Sequence, residues 1–373
     1  MIYFDSAGSF PVLDEVKEKV IGAIDSHYAN PSSDHAAGAM AADELERVRE
    51  KIAESISASP SEIIFTSGAT ESNNLALKGL LNCDLAKNKK HIITSKIEHK
   101  CILSICSYLE SCGYEVTYLS PNSTGLISAD TVKSALRDDT ALVSIMHVNN
   151  ELGTLNPISE IGELCFQNGT LFHTDAAQSF GKAVIDVDDM NIDLLSLSAH
   201  KIGGIKGVGA LYIRDAREIE VLPVIHGAGQ ELGIRGGTVA TPLVTGLGEA
   251  CTAFPKYYAS ADFEQITAHL ERELKSKSIK HTINGEKKLP HIVSLTLPEV
   301  DVITFLLAHR EDFSLAQGSA CSSKEIEASH VLKAIGLDRE KAERTIRLSF
   351  DFNTTKHDIS TLVSKLQTFI ESA

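Results

Sequence analysis

The sequence predicts an α/β fold with two parts: a large domain built on a mostly parallel seven-stranded sheet, and a smaller α+β domain. Short apolar runs alternate with helix-like stretches between about residues 60 and 215, which is typical of strand–helix–strand units. After about Cys251 this alternation stops and the pattern becomes mixed. A chain of 373 residues also exceeds one compact hydrophobic core, so a second domain is expected.

Seven short apolar runs are the candidates for the strands of the large domain, because most are rich in Ile, Val, Leu or Phe. Helix-like stretches separate many of them, so we expect helices on both faces of a parallel sheet. In such sheets the ligand binds at the carboxyl ends of the strands. The predicted strands are Ile63–Phe65, His91–Thr94, Glu115–Leu119, Ala141–Val148, Thr170–His173, Leu194–Leu197 and Ala210–Ile213, and the predicted helices are Glu71–Leu81, Lys100–Cys112 and Ser159–Asn168.

The C-terminal part predicts a second domain that mixes helices and strands. A loop of small residues, Gly318–Ser323, separates its first strand from its second helix. We place the large domain at residues 12–252, and the small domain at residues 1–11 and 253–373. The predicted helices are Tyr257–Lys280, Ser329–Ile335 and Asp358–Ile370, and the predicted strands are His291–Leu297 and Thr345–Phe350.

The composition is ordinary for a soluble globular protein, with 43% hydrophobic and 23% charged residues. A net charge of −15 argues against direct binding to nucleic acid. No apolar stretch approaches the roughly 20 residues of a membrane span, and the N-terminus lacks a signal-peptide pattern, so we expect a cytoplasmic protein. The seven cysteines include no C-x-x-C pair, so neither a disulfide framework nor a metal site is predicted.

Lys201 and Asp175 both end apolar runs that read as buried strands. Burial favours the free amine of Lys201, which can form a Schiff base with an aldehyde such as pyridoxal phosphate. An aspartate such as Asp175 can keep the pyridine nitrogen of that cofactor protonated. Alone, the lysine could be a surface group and the aspartate a helix cap. Together they favour a pyridoxal phosphate enzyme.

Two further candidates follow strands. The segment Phe65–Asn73 passes from strand to helix through small residues that include Ala69 and Thr70. The start of a helix offers N–H groups to a phosphate, although an ordinary capped helix would look the same. His99 follows the strand at His91–Thr94 and can stack on an aromatic cofactor or move protons, or it is a structural histidine.

Four polar candidates lie elsewhere in the chain. Asn150 could bind a ring oxygen or a carboxylate, or simply form a turn. Thr238, in a glycine-dense loop, could meet a phosphate or belong to a surface loop. Arg347, inside an apolar strand pattern, needs an anion, which could be a substrate carboxylate or an internal partner. Cys321, among small polar residues, is expected to be exposed and reactive, or a thiol without a task.

The chain resembles the cysteine desulfurases of the class V aminotransferase group, which have the pyridoxal phosphate fold of type I. The resemblance runs nearly from end to end. The segments that carry it are Asn30–Ser33 with His35, Phe65–Asn74, His91–Lys100, Val143–Gly153, His173–Ser179, Ser196–Lys201, Arg235–Thr238 and Gly318–Ser322.

The resemblance implies a role for each candidate residue. Lys201 would hold the cofactor and move the Cα proton, while His99 would stack over the ring. Cys321 would attack the sulfur of L-cysteine, which leaves alanine and a persulfide for an acceptor protein. The remaining implied roles are pairing with the pyridine nitrogen by Asp175, contact with the ring hydroxyl by Gln178, phosphate binding by Ala69, Thr70, Ser198 and His200 with Thr238 of the partner subunit in a homodimer, and binding of the substrate carboxylate by Asn150 and Arg347.

The chain departs from the family pattern in three places. Ser6–Phe10 replaces an Ala-Thr-Thr-like segment, and Ile202–Gly207 replaces a Tyr-Gly-Pro-like pattern, so the substrate mouth and the loop after Lys201 are expected to differ. The chain also ends about thirty residues before the iron–sulfur members do, so no scaffold-docking tail is expected. The acceptor is expected in an iron–sulfur, tRNA-thiolation or DNA-phosphorothioation pathway. A selenocysteine lyase and a non-catalytic partner protein are the alternatives.

Overall fold

The strands gather into three sheets in the part of the chain that the structure, a computed structural model, describes: residues 1–81, 86, 88–216, 221–317 and 329–372. The strands are β1 (Ile2–Tyr3), β2 (Ile63–Thr66), β3 (His91–Ser95), β4 (Glu115–Leu119), β5 (Thr140–Ser144), β6 (Leu171–Asp175), β7 (Leu194–Ser198), β8 (Gly209–Ile213), β9 (Thr282–Asn284), β10 (Ile292–Thr296), β11 (Phe313–Ser314) and β12 (Thr345–Ser349). The helices are α1 (Asp14–Ser26), α2 (Ala36–Ser55), α3 (Ala69–Asn74, continued by a π-helical turn at Leu75–Gly79), α4 (Lys100–Ser111), α5 (Ala129–Ala135), α6 (Ile158–Asn168), α7 (Thr241–Ser260), α8 (Phe263–Ser276), α9 (Val302–Ala308), α10 (His330–Ala334), α11 (Arg339–Glu343) and α12 (Lys356–Glu371).

The central sheet has seven strands in the order β2-β8-β7-β6-β5-β3-β4, which confirms the predicted fold class. The pairs from β4 to β7 are parallel. Only β8 runs the other way, antiparallel to both β7 and β2. A parallel crossover needs a dozen or more residues, usually with a helix. The short link between β7 and β8, which contains only the 3-10 turn Ala199–Lys201, therefore makes an antiparallel pair.

The inner strands are buried along their whole length, because helices cover both faces of the sheet. Every residue of β5, β7 and β8 is buried. This explains why these strands read as continuous apolar runs rather than as alternating patterns. One face packs in a core that includes Phe65 and Phe172, and the other in a core that includes Ile64 and Leu142.

Two predicted elements have the wrong length. The helix predicted at Tyr257–Lys280 is two helices, α7 and α8, because Ala261 is extended and the Asp262 side chain caps a new helix by accepting from the Gln265 amide. The strand predicted at Ala141–Val148 ends at Ser144. Beyond Ser144 the backbone of Met146 bonds to side chains instead of a neighbouring strand. Its N–H donates to Glu98, and its carbonyl accepts from Asn156.

A second, antiparallel sheet of three strands, β12-β10-β9, lies in the C-terminal part. The first residues of the chain join this part, since β1 pairs in parallel with β11. Phe4 is fully buried and packs edge-on against Phe350, with 6.0 Å between ring centroids. Phe4 therefore belongs to the core of the C-terminal part, whereas Phe10 packs in the large core. The grouping of residues 1–11 with 253–373 stays a prediction. Helix α10 packs instead in the large core through Val331 and Leu332.

None of the helices in the described ranges is both long enough and apolar enough to cross a lipid bilayer.

Candidate active site

A cavity of about 470 Å³ lies at the carboxyl ends of the central strands. Asp175 is the last residue of β6, and Ser198 is the last residue of β7. Because neighbouring parallel strands end at the same edge of the sheet, their terminal side chains converge there. The lining residues are Ala7, Gly8, Ser67, Gly68, Ala69, Thr70, Glu71, His99, Cys101, Met146, Val148, Asn150, Asp175, Ala177, Gln178, Ser198, His200, Lys201, Lys206, Gly207 and Arg347.

The cavity brings together most of the residues that the sequence singled out. Thr238 does not line it and is exposed in this chain. Cys321 lies outside the described residues, as does the predicted loop around it. The predicted residues that do line the cavity are Ala69, Thr70, His99, Asn150, Asp175, Gln178, Ser198, His200, Lys201 and Arg347.

Lys201 is held by main-chain carbonyls from the start of the chain. Its Nζ donates to the carbonyl oxygens of Ala7 at 2.6 Å and Gly8 at 2.9 Å. Burial and the positive charge of Arg347 lower the pKa of Lys201 from 10.5 to about 8. The amine is therefore much closer to its neutral, nucleophilic form at physiological pH than an ordinary lysine is.

Asp175 is buried, and both of its carboxylate oxygens accept hydrogen bonds. Oδ2 accepts from Asn73 Nδ2 at 2.8 Å, and Oδ1 accepts from the Ala177 amide at 2.9 Å. The arrangement holds the carboxylate of Asp175 in a fixed orientation in the wall of the cavity.

His99 begins helix α4 and caps it with its own ring. Nδ1 accepts from the Cys101 amide at 3.2 Å and lies 3.0 Å from the Cys101 sulfur. The ring is exposed to the cavity. Desolvation by the surrounding protein nevertheless lowers the pKa of His99, and the negative charge of Asp175 only partly opposes this. The neutral ring therefore predominates near pH 7.

The N-terminal end of α3 and the end of β7 form a small-residue corner of the cavity. Gly68 has φ +142°, a backbone conformation that favours glycine, and a Cβ there would lie 3.5 Å from Ser198 Oγ. Lys206 also lines this cavity. Burial and the positive charges of Lys201, Lys206 and Lys182 lower the pKa of His200 to about 3, so its ring is neutral. Small side chains, free N–H groups and a nearby ammonium suit an anion.

Arg347 is buried in the cavity wall and has two protein partners. One guanidinium nitrogen donates to the Asn150 carbonyl at 2.9 Å, and another donates to Asp5 Oδ1 at 2.6 Å. The arginine therefore has the internal acidic partner of one sequence alternative. It also lines the cavity, and binding of a substrate carboxylate there stays a prediction.

Two buried polar atoms of the cavity have no hydrogen-bond partner among the described residues: Gln178 Oε1 and Arg347 Nε. Buried polar atoms in native proteins are nearly always satisfied, so a polar ligand in the cavity is a candidate partner for them. A lysine amine with a lowered pKa, a carboxylate, a flat histidine ring and an anion-binding corner match the aldehyde, pyridine nitrogen, aromatic ring and phosphate of pyridoxal phosphate. The residues present therefore fit this cofactor.

Sequence reasoning missed several residues that complete the site. Ala7 and Gly8 act through their carbonyls, which leave no mark in a sequence. Asn73 belongs to the segment Phe65–Asn73, but no role was predicted for it. Its position near the start of a helix that follows a strand could have indicated that its side chain faces the site. Cys101 is not among the residues that the sequence singled out, yet it lines the cavity two residues after His99.

Comparisons with known proteins agree with this geometry. The model of the class V aminotransferase family matches residues 2–362. Cysteine desulfurase IscS of Vibrio vulnificus (strain CMCP6) is 44% identical over 377 residues, which cover 99% of this chain and 93% of that protein. A solved structure described as SspA in complex with cysteine has a TM-score of 0.85 at 47% identity, and covers 94% of this chain and 99% of that one. A NifS-like protein has a TM-score of 0.91 at 33% identity, with 100% of both chains covered.

Proposed function

This chain belongs to the class V aminotransferase family and to its cysteine desulfurases, and we propose that it takes sulfur from L-cysteine with pyridoxal phosphate bound at Lys201, releasing L-alanine and leaving a persulfide on Cys321. The single observation that supports this best is the convergence of Lys201, Asp175 and His99 on one cavity. A catalytically inert relative would have no need to keep this set together.

Pyridoxal phosphate supplies an electron sink that lets the C–S bond of the substrate break. Lys201 would hold the cofactor covalently, with Asp175 at its pyridine nitrogen and His99 over its ring. Gln178 would meet the ring hydroxyl, which suits its Oε1, a buried acceptor with no partner in the described part of the chain. The phosphate would lie at Ala69, Thr70, Ser198 and His200.

Substrate binding would fall to Asn150 and Arg347. The buried guanidinium keeps Nε free of protein partners among the described residues, so it can bind the carboxylate of L-cysteine. Lys201 Nζ, with its pKa lowered to about 8, can accept and return the substrate Cα proton near neutral pH. The solved structure described as SspA in complex with cysteine supports L-cysteine as the substrate.

Cys321 lies in the part of the chain that is not described, but the residues on either side are anchored. Gln317 Nε2 donates to the Glu343 carbonyl at 2.7 Å. Ser329 Oγ donates to Glu151 Oε2 at 2.5 Å, and Glu151 is the neighbour of Asn150. One anchor of the segment is thus next to a substrate-binding residue, which supports the role of Cys321 as sulfur acceptor.

We further propose a cytoplasmic homodimer that hands its sulfur to an acceptor protein. Thr238 would then reach the phosphate from the partner subunit, in line with its exposure here. Val224, Ile225 and Leu232, in the same region, are exposed apolar side chains that a partner could cover. Among the described cysteines, all five are free thiols, as expected in a reducing compartment.

The decisive experiment is mass spectrometry of Cys321 after incubation of the purified protein with L-cysteine, together with measurement of alanine. Wild type should release alanine and carry one additional sulfur on Cys321. Lys201→Ala should lose the visible absorbance of the bound cofactor and the alanine. Cys321→Ser should keep the absorbance but lose persulfide transfer to an added thiol acceptor.

Three results would overturn the proposal. Undiminished sulfur transfer by Cys321→Ser would remove Cys321 from the reaction. Alanine formed from L-selenocysteine but not from L-cysteine would make the protein a selenocysteine lyase. A colourless protein from cells rich in vitamin B6 would favour a non-catalytic partner.

A further inference from the structure

A second thiol lies inside the catalytic cavity, and nothing in the reaction above uses it. Cys101 is half-buried, lines the cavity and is on the first turn of α4. Its sulfur contacts His99 and Asn73, and it also has a hydrogen bond with the Thr70 side chain. The thiol of Cys101 therefore lies between His99, proposed to stack over the cofactor, and Asn73, which donates to Asp175.

The direction of each hydrogen bond in this group follows from the chemistry of Asp175. Its carboxylate can only accept, so the atom of Asn73 that faces it at 2.8 Å must be the amide nitrogen. If the amide of Asn73 were flipped, its oxygen would face the carboxylate oxygen, and two acceptors would repel each other. The same Nδ2 lies 3.3 Å from the sulfur of Cys101, so the sulfur is an acceptor there.

The remaining proton of the group is the thiol hydrogen. Burial and the negative charge of Asp175 raise the pKa of Cys101 to about 12, so the thiol stays protonated. The sulfur accepts from Asn73, and the Thr70 hydroxyl can donate to it as well. The S–H can therefore point at His99 Nδ1, 3.0 Å away. The Cys101 main-chain N–H, which can only donate, faces the same Nδ1 at 3.2 Å. Two donors on Nδ1 leave that nitrogen without a proton and put the ring proton on Nε2.

We infer that Cys101, oriented by Asn73, is a positioning residue that holds His99 as the Nε2–H tautomer and so presents an N–H to the reacting groups in the cavity. The inference rests on the proposed function for the use of that proton. It does not make Cys101 a second sulfur carrier, because a thiol that remains protonated is a poor nucleophile.

Three variants test the inference: Cys101→Ala removes the S–H donor, Cys101→Ser replaces it with an O–H donor, and Cys106→Ala is the matched control. Cys106 is on the same helix, is fully buried and does not line the cavity. We expect Cys101→Ala to lower kcat for alanine release by about threefold to tenfold, the effect of one hydrogen bond. Cys101→Ser should recover most of this, and Cys106→Ala should stay near wild type.

A double-mutant cycle shows whether the effect passes through His99. In a His99→Gln background, Cys101→Ala should cause no further loss, since the group on which it acts is already gone. An equal loss in both backgrounds would mean that Cys101 acts on packing alone and would overturn the inference.

A second readout does not depend on catalysis. The rate at which diethylpyrocarbonate modifies His99 in the cofactor-free chain, followed by peptide mass spectrometry across pH, reports the titration of this ring. Loss of the S–H donor should move its midpoint upward by about 0.5 to 1 pH unit in Cys101→Ala but not in Cys101→Ser. The other charged or titratable groups that act on His99 are Asp175, Lys201, His330 and Glu151, and all are retained in these variants.

The outcomes separate the two proposals. If wild type releases no alanine from L-cysteine, the proposed function fails, and the His99 titration still tests Cys101. If wild type is active and Cys101→Ala matches it in kcat and in His99 titration, only the Cys101 inference fails. A persulfide found on Cys101 after incubation with L-cysteine would also overturn it.

Discussion

Arg347 donates to Asp5 Oδ1 at 2.6 Å, so the guanidinium proposed to bind the substrate carboxylate already has an acidic partner in its own chain. Arg347→Lys would keep a positive charge beside Asp5 but lose the planar guanidinium, which can donate to both oxygens of a carboxylate. We expect the KM for L-cysteine to rise roughly tenfold, equivalent to about 1.4 kcal/mol, with a small change in Tm. Steady-state kinetics of alanine release measure this.

The matched control for Arg347→Lys is Arg214→Lys, which alters a half-buried arginine paired with Asp188 outside the cavity. It should leave KM unchanged. An unchanged KM in Arg347→Lys itself would show that the ion pair with Asp5 is the whole purpose of this arginine.

Cofactor loading should depend on pH through Lys201. Burial and the charge of Arg347 lower its pKa to about 8, and only the free amine attacks an aldehyde. The rate at which cofactor-free protein gains visible absorbance from pyridoxal phosphate should therefore rise with pH and level off above about 8. Stopped-flow absorbance at pH 6 to 10 measures the midpoint.

Arg347→Gln provides an internal check on this midpoint. Removing the positive charge should raise the pKa of Lys201, so the loading curve should shift to higher pH. Arg214→Gln should leave the curve in place. A midpoint near 10.5, the ordinary lysine value, in wild type would contradict the role of burial.

Glu98 should make the folded protein less stable as pH rises. Burial raises its pKa from 4.5 to about 8, although Ser95 and the Met146 amide donate to it. Between these two pH values the folded chain keeps a proton that the unfolded chain has lost, so its contribution to stability is complete below pH 4.5 and gone above about 8. Glu98→Gln cannot titrate and should flatten the decline.

Thermal unfolding at pH 5, 7 and 8.5 measures this effect, as a difference in Tm between Glu98→Gln and wild type that grows with pH. Glu54→Gln, on an exposed position of α2, removes a carboxyl without burial and is the control. A constant difference at all three pH values would show that Glu98 is already ionised in the folded protein.

Asn149 should be a structural support for the substrate site. Its buried amide donates to the Ile97 carbonyl and accepts from the amides of Glu151 and Leu152, each at 2.9 Å. Asn149→Ala should cost about 2 to 4 kcal/mol of unfolding free energy, because three hydrogen bonds are lost. Urea denaturation measures it, with exposed Asn168→Ala as a control expected within about 0.5 kcal/mol of wild type. A loss as small as the control's would contradict this role.

The sequence predicted the central sheet well because its signal is local. Runs such as Leu194–Ser198 are rich in leucine and buried at every position, and their ends mark the edge of the sheet where Asp175 and Lys201 line one cavity. The C-terminal helices were harder. A single apolar pattern spans Tyr257–Lys280, and only the capping hydrogen bond of Asp262 reveals the break within it.

Most of the predicted site residues line the cavity, but the sequence did not indicate the groups that support them. The partners of Lys201 are carbonyls of Ala7 and Gly8, far away in sequence, and any residue could provide them. Asn73 links Asp175 to Cys101 through one amide nitrogen. Such links depend on the register of a helix against a strand, which residue patterns do not determine.

The pairing of β1 with β11 has a practical consequence for anyone handling this protein. Met1 is 85% exposed, so an affinity tag could extend freely from it into solvent. A protein truncated by residues 1–10, by contrast, would retain every residue proposed to act in the reaction and would still be impaired. The N-terminal segment forms part of the cavity wall, and its removal would deprive Lys201 Nζ of its two carbonyl acceptors.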